Sequence, residues 1–355
     1  MSRTRIEDDL TPAKGNGATK LPSGTDAQRP TNPPNPSIRF NTTEEVFEMY
    51  DDQWRALNQA SYTVNVDYLV IAGGGSGNPG GGGGGAGGYR TSYGTGNVSG
   101  RNSAVESSLT FNSGVVYTIT VGAGGATMSV SSDTATLNAG GNAGTDSSLS
   151  GSDITTITSL GGGCGSYYPS STYGGYLAKN NGGSGGGAVF GSSGGHNQGN
   201  TSGTSGQGFG GHGGDVSSAS TWSGGGGGAG AAGNNNSSGT GGAGLASSIT
   251  GASVNRGGGG SQGPWSGGTR GSNGFGGGSS PGGSGTANTG GGGGGGGSTT
   301  QSQGNIRASG NGGSGVVILR MPTAKYNSSG NSGGTESTDG TDTVLTFTSS
   351  GTYTA

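Results

Sequence analysis

A single cysteine, Cys164, stands in 355 residues, so no intrachain disulfide framework holds this chain together. Charge is scarce as well: Asp, Glu, Lys and Arg make up 9% of the sequence, and the formal net charge is −3. That balance lacks the basic footprint of a nucleic-acid partner. No apolar run approaches the roughly 20 residues that a membrane helix needs, which argues against membrane insertion. Residues 1–30 carry charges and prolines where a secretory signal would carry an apolar segment. The two histidines, His196 in "GGHNQ" and His212 in "GGHGGD", are too few and too poorly spaced for a metal site. Glu106, Asp133, Asp146, Asp153 and Asp215 are scattered through Ser/Gly sequence, without the paired carboxylates that glycoside hydrolysis requires. Neither an enzyme activity nor a cofactor is expected.

What the chain has is glycine: 93 residues of 355, against a usual share of about 7%. "VDYLVIAGGGSGNPGGGGGGAGGYR", residues 66–90, contains the G-x-G-x-x-G spacing of dinucleotide-binding enzymes. At this glycine density the spacing arises by chance roughly six times. The helix that would hold a pyrophosphate is also missing, because more glycine follows, and each Gly costs a helix about 1 kcal/mol relative to Ala.

Composition divides the chain. Seventeen of its 33 charged residues lie in residues 1–67, and eleven in the glycine-rich tract 73–315. Four segments follow: 1–20; a Pro-rich hairpin module at 21–58; a glycine-rich domain at 59–323; and a C-terminal linker with a final strand at 324–355. In the module, Ile38 and Phe40 belong to one strand, and Val46, Phe47, Met49 and Tyr50 to the next. About 35 residues hold little core alone, and oligomerisation is the usual remedy. In the tract, "YTVNVDYLVIA" and "VVYTITV" alternate with the period of half-buried strands, and "GVVILRM" is a short buried strand. "TVLTFTSSGTYTA" closes the chain with Leu345 and Phe347 on a shared face. The expected fold is mostly β and irregular, with no α-helix of consequence.

Glycine itself admits several uses. Collagen requires Gly at every third position with abundant Pro, and this chain has 11 Pro in total. A Ca²⁺-binding β-helix needs a repeated G-G-x-G-x-D, which "GGNAGTD" at 140–146 misses by one residue. A flexible Gly/Ser linker is the plain alternative. Against it stand the flanking strands and large apolar residues within the tract, among them Phe190, Phe209, Trp222, Leu245, Ile249 and Phe275. The remaining reading is a bundle of extended polyglycine helices in the polyproline II geometry. Such helices lack a Cβ, approach closely and hydrogen-bond to neighbouring runs.

"VDYLVIAGGG", "GGGGGAGGYRT", "YTITVGAGG", "GGGGGAGAAG", "GGAGLASSITGASVNRGGGG", "TANTGGGGGGGG" and "GGSGVVILRMP" together resemble the glycine-rich domain of tail-fibre and adhesin proteins of tailed bacteriophages. "LPSGTDAQRPTNPPNPSIRFNTTEEVFEMYDDQWRAL" resembles a short module recurrent in phage fibres. The resemblance implies a polyglycine II receptor-recognition domain, a homotrimer, and residence in the virion tail fibre after assembly in the host cytoplasm. It also implies attachment to other virion tail proteins through residues 1–20, and host recognition through a surface glycan or outer-membrane protein. Tyr, Asn, Ser and Gly together suit an adaptable binding surface. Tyr167, Tyr168, Tyr173 and Tyr176 in "CGSYYPSSTYGGYLAKNN", with Phe209, Trp222 and Trp265, are therefore the candidate receptor-binding residues; capping the glycine layers is the alternative use for each. In relatives the phrase like "VLTFTSSGTYTA" precedes "VDYLVIAGGG". Here it comes last, so it is expected to fold back beside "YTVNVDYLVIA".

Overall fold

The computed structural model describes residues 21–57, 62–94, 97–128, 140–166, 179–188, 201–217, 220–234, 239–263, 277, 282–297 and 307–355. The chain forms two compact units, Met1–Tyr62 and Thr63–Ala355. It is mostly β, and the described residues contain only single-turn 3-10 helices.

In the first unit four strands, β1 (Ser23–Gly24), β2 (Ser37–Asn41), β3 (Val46–Tyr50) and β4 (Trp54–Ala56), lie in that order in one sheet. The hairpin β2–β3 sets Ile38 opposite Met49 and Phe40 opposite Phe47. Its turn is tied by Asn41, whose Oδ1 accepts the backbone N–H of Thr43 and of Glu44. The unit is inside-out. Its buried side chains are Arg39, Asn41 and Glu48, while Ile38 and Phe47 are 46% and 48% exposed. Arg29 forks onto the Glu48 carboxylate, to which Asn41 also donates.

The second unit contains β5 (Thr63–Ile71), β6 (Tyr89–Thr91), β7 (Leu109–Asn112), β8 (Val116–Thr120), β9 (Ser147–Gly151) and β10 (Ile154–Ser159). Two small hairpins follow, β11 (Asp215–Ser217) with β12 (Ser220–Trp222), and β13 (Leu245–Thr250) with β14 (Ala252–Arg256). The chain ends with β15 (Val316–Pro322), β16 (Asn331–Ser332), β17 (Thr335–Asp339), β18 (Asp342–Phe347) and β19 (Gly351–Thr354). One sheet runs β17-β18-β15-β5-β6, with β7 pairing the first half of β5; a second runs β10-β9-β8-β19-β16.

The two sheets enclose the main core. Val64, Val66, Tyr68 and Val70 of β5 meet Val317, Leu319, Leu345 and Phe347 from their own sheet and Tyr117, Ile119, Leu149 and Tyr353 from the other. The opposite face of the first sheet is also covered, because Leu69, Ile71, Val316, Ile318 and Val344 pack with Tyr89, Ala229 and Ile249. Burial on both faces explains why β15 reads as an unbroken apolar run. The returning strand takes a different place from the one expected. β18 pairs with β15, which itself separates it from β5. β19 crosses to the other sheet and pairs with β8. The C-terminal segment thus closes both sheets at once.

Between these strands the glycine runs extend into a lattice. In run 73–78 the backbone donors turn to a new neighbour at each residue and repeat after three. Gly73 and Ser76 donate to Thr145 and Asn142, Gly74 and Gly77 to Gly313 and Gly310, and Gly75 and Asn78 to Gly85 and Gly82. Run 83–88 does the same. Gly83 and Ala86 bond Gly224 and Gly227, Gly84 and Gly87 bond Gly293 and Gly290, and Gly85 and Gly88 bond Gly163 and Leu160. A β-strand alternates between two directions; these runs use three. Residues 68–89 are buried throughout. A Cβ placed on Gly84 would lie 2.1 Å from the Gly75 carbonyl oxygen, so backbone packs directly on backbone.

Candidate functional site

The lattice has two ends of different character. Runs leave strands β5, β8, β10 and β14 and re-enter at β6, β9, β13 and β15, so the sheets gather at one end. The remote ends are bonded to one another. Gly297 donates to Pro79, Arg307 to Gly297, Gly263 to Gly81, Gln262 to Gly239, Ser166 to Gly187 and Gly224 to Ala188, at 2.6 to 3.0 Å. The described residues preceding 129–139, 167–178, 189–200, 235–238, 264–276 and 298–306 all lie toward this end. Buried polar atoms without a hydrogen-bond partner among the described residues also occur here: Asn78 Nδ2, Ser223 Oγ and Gln262 Oε1. The end remote from the sheets is thus a platform built from backbone, onto which six inter-run segments are joined.

On the flank of the lattice lies a cleft of about 280 Å³, whose walls include Arg101, Thr201, Ser202, Phe209, Gly210 and His212. The half-buried Phe209 has the Arg101 guanidinium 5.8 Å from its ring centre. Thr201 is fixed: its hydroxyl donates to the Gly186 carbonyl and accepts from the Gly211 N–H. His212 Nδ1 lies 2.8 Å from the Gly213 carbonyl. A carbonyl only accepts, so Nδ1 carries a proton and donates to it, leaving Nε2 as the ring nitrogen not engaged in this bond.

The structure separates the candidate residues. Phe209 lines the flank cleft. Trp222 ends β12, its backbone paired with Asp215, and its side chain lies outside the description. Tyr167, Tyr168, Tyr173, Tyr176 and Trp265 lie outside the described residues, as does His196. Arg101, which neither composition nor motif singled out, is brought to Phe209 by the loop between β6 and β7.

The described carboxylates of the tract are taken up by structural bonds. Glu106 is paired with Arg90 at 2.5 Å and accepts the Tyr68 hydroxyl. Asp146 accepts the Gly161 N–H. Asp153 accepts from the Tyr117 hydroxyl and from Asn112; burial alone would raise its pKa, but these hydrogen bonds outweigh it and hold it below the ordinary value. Burial pushes the Cys164 thiol up to about 11, so it stays protonated near neutrality and is a poor nucleophile. In the first unit Asp26, Glu44 and Glu48 approach one another closely enough to share a cation. Arg29, bonded to both Asp26 and Glu48, already offsets part of that cluster's charge.

A mostly-β protein in which strands anchor a backbone-bonded glycine lattice is the class that these features define. The family model of the glycine-rich domain matches residues 54–322, and the chain belongs to that family. Neither the search of curated proteins nor that of solved structures found a match.

Proposed function

We propose that this protein is a tail-fibre adhesin of a tailed bacteriophage, resident in the virion and recognising a glycan or outer-membrane protein on the host surface. The glycine runs act as a bundle of polyglycine II helices; the threefold repeat of their donor directions supports this, since that geometry has three residues per turn. The observation that carries the functional reading is that the described residues preceding six inter-run segments all lie toward the end remote from the sheets. Binding residues suit segments held on a rigid scaffold, and a scaffold without side chains lets those segments vary without disturbing a core. Tyr167, Tyr168, Tyr173, Tyr176, Trp222 and Trp265 are the receptor-contacting residues of this reading. Residues 1–20 attach to other tail proteins, and residues 21–58 associate into a trimer. The outward Ile38 and Phe47 support that association, because an apolar sheet face gains by burial.

Fluorescently labelled full-length protein, incubated with a panel of bacterial strains, tests the reading. Saturable, strain-selective binding that blocks phage adsorption is expected. Folded protein that binds no strain would instead leave a structural spacer of the fibre. Sedimentation should give a trimer that Phe47→Asp dissociates; a monomer in the unsubstituted protein would remove that part of the proposal.

A further inference from the structure

We propose that the flank cleft is a binding site for an acidic saccharide, a sugar bearing a carboxylate. It does not rest on the adhesin reading. The cleft is a gap in the lattice. In run 208–212, Phe209 and His212 donate to Gly228 and Gly225, and Gly208 and Gly211 donate to Thr204 and to the Thr201 hydroxyl. By the threefold repeat, Gly210 should donate in the third direction. Gly210 instead lines the cleft, and its N–H has no partner among the described residues. Among the described residues no run lies in that third direction, and Gly210 stands on the wall of the cleft.

The second observation is the loop that supplies Arg101. Arg101 and Asn102 adopt φ of 61° and 54°, a left-handed conformation uncommon for residues other than glycine. Two such residues in succession persist because the loop is pinned. The Arg101 N–H donates to the Ala229 carbonyl, the Asn102 side chain to Gly230, and the Ser103 hydroxyl to Gly100. Held strain of this kind concentrates at ligand clamps. Its product is a guanidinium at the cleft wall with no carboxylate partner among the described residues, none of whose carboxylates lines the cleft.

These groups specify the ligand. Arg101 and the Gly210 N–H are donors, and a carboxylate matches the guanidinium fork. The His212 Nε2 and the exposed Ser202 hydroxyl suit a ligand carrying several hydroxyls. Phe209 offers an apolar surface to the C–H face of a pyranose ring. A charged, hydroxylated ring with one apolar face meets all of these; a neutral sugar leaves Arg101 unused, and inorganic phosphate leaves Phe209 unused.

The test is titration of the full-length protein with glucuronate and with a digalacturonate, followed by calorimetry and by the amide resonance of Gly210, with glucose and inorganic phosphate as controls. Uronate should bind saturably and move the Gly210 resonance, with glucose inert and phosphate at least about tenfold weaker. Arg101→Gln, at an exposed side chain, should weaken uronate binding about tenfold or more, as expected for losing a charge-assisted hydrogen-bond pair, and Phe209→Ala should weaken it further for the disaccharide. Absence of uronate binding would overturn the proposal. So would equal affinity for phosphate, an unmoved Gly210 resonance, or unchanged affinity in Arg101→Gln. No cells enter the assay, so its outcome is separate from that of the strain-binding experiment.

Discussion

In the sheet region of the second unit, the Phe111 and Tyr117 rings stack with centres 3.5 Å apart, sealed among Val64, Ile119 and Tyr353. In the lattice, Gly84 rests on Gly75 with no side chain between them, and its neighbours are identified by hydrogen bonds alone. The sheet region draws its order from buried apolar area, at about 25 cal/mol per Å². The lattice has almost none to bury. Ordering each glycine costs about 1–2 kcal/mol; each backbone hydrogen bond returns a net of about 1, with about 0.5–1 more from each Cα–H···O contact. Near break-even per residue, the lattice holds only as a whole, and runs 73–78 and 83–88 each depend on three neighbours. The sheets supply the anchors that make the whole hold.

That contrast predicts opposite sensitivities. Adding atoms should damage the lattice most, and removing them should damage the sheets. Gly84→Val is expected to have the largest effect, a loss of at least about 4 kcal/mol or outright failure to fold. The added Cβ meets backbone at 2.1 Å, and backbone bonded on three sides cannot shift. Expression yield and denaturant unfolding would register it. Phe347→Ala, which leaves a cavity between the sheets where Phe347 is fully buried, should cost about 3–5 kcal/mol in the same unfolding experiment. Tyr117→Phe should cost about 1–3 kcal/mol, since it removes the 2.6 Å hydrogen bond to Asp153 while keeping the ring stack; the thermal midpoint would fall accordingly.

The smallest effect is that of acid. Hydrogen bonds hold the Asp153 pKa below its ordinary value against the opposing pull of burial. The hydrogen bond from Arg29 does the same for Glu48, with burial opposing it and the Asn41 hydrogen bond and the Arg29 charge assisting. Their contributions are complete above the unfolded values of about 3.9 and 4.3 and are lost as pH falls through the lower folded values. Stability of the sheets and of the hairpin module should therefore decline below about pH 4. Run 82–88 contains no ionisable side chain, so its amide protection should be unchanged over the same range after correction for intrinsic exchange. Equal acid sensitivity of both regions would break the comparison.

The same contrast explains what could be read from the sequence. Strands β5, β8 and β18 were legible because Val64, Val66, Tyr117, Ile119, Leu345 and Phe347 recur with period two and are buried in that pattern, and β15 because it is a continuous apolar run. The hairpin of Ile38 and Phe40 with Phe47 and Met49 was legible for the same reason. Strands β9 and β10 were not, because "SSLSG" and "ITTITS" are mostly Ser and Thr and only Leu149 and Ile157 enter the core. Which glycine run neighbours which was hidden altogether, since pairing through backbone leaves no mark on residue type. The cleft was half visible: Phe209 stood out as a large residue in glycine, whereas Arg101 reaches it through a loop conformation that sequence does not announce.

Amide hydrogen exchange of Gly83–Gly88 against Val316–Met321 in the native protein tests the central claim most directly. If backbone bonds in three directions hold the lattice, those glycines should exchange only through global unfolding, as slowly as the fully buried strand β15. Exchange as fast as that of the exposed turn glycine Gly340 would mean that the runs are loose chain tethered between sheets, and the account would be wrong.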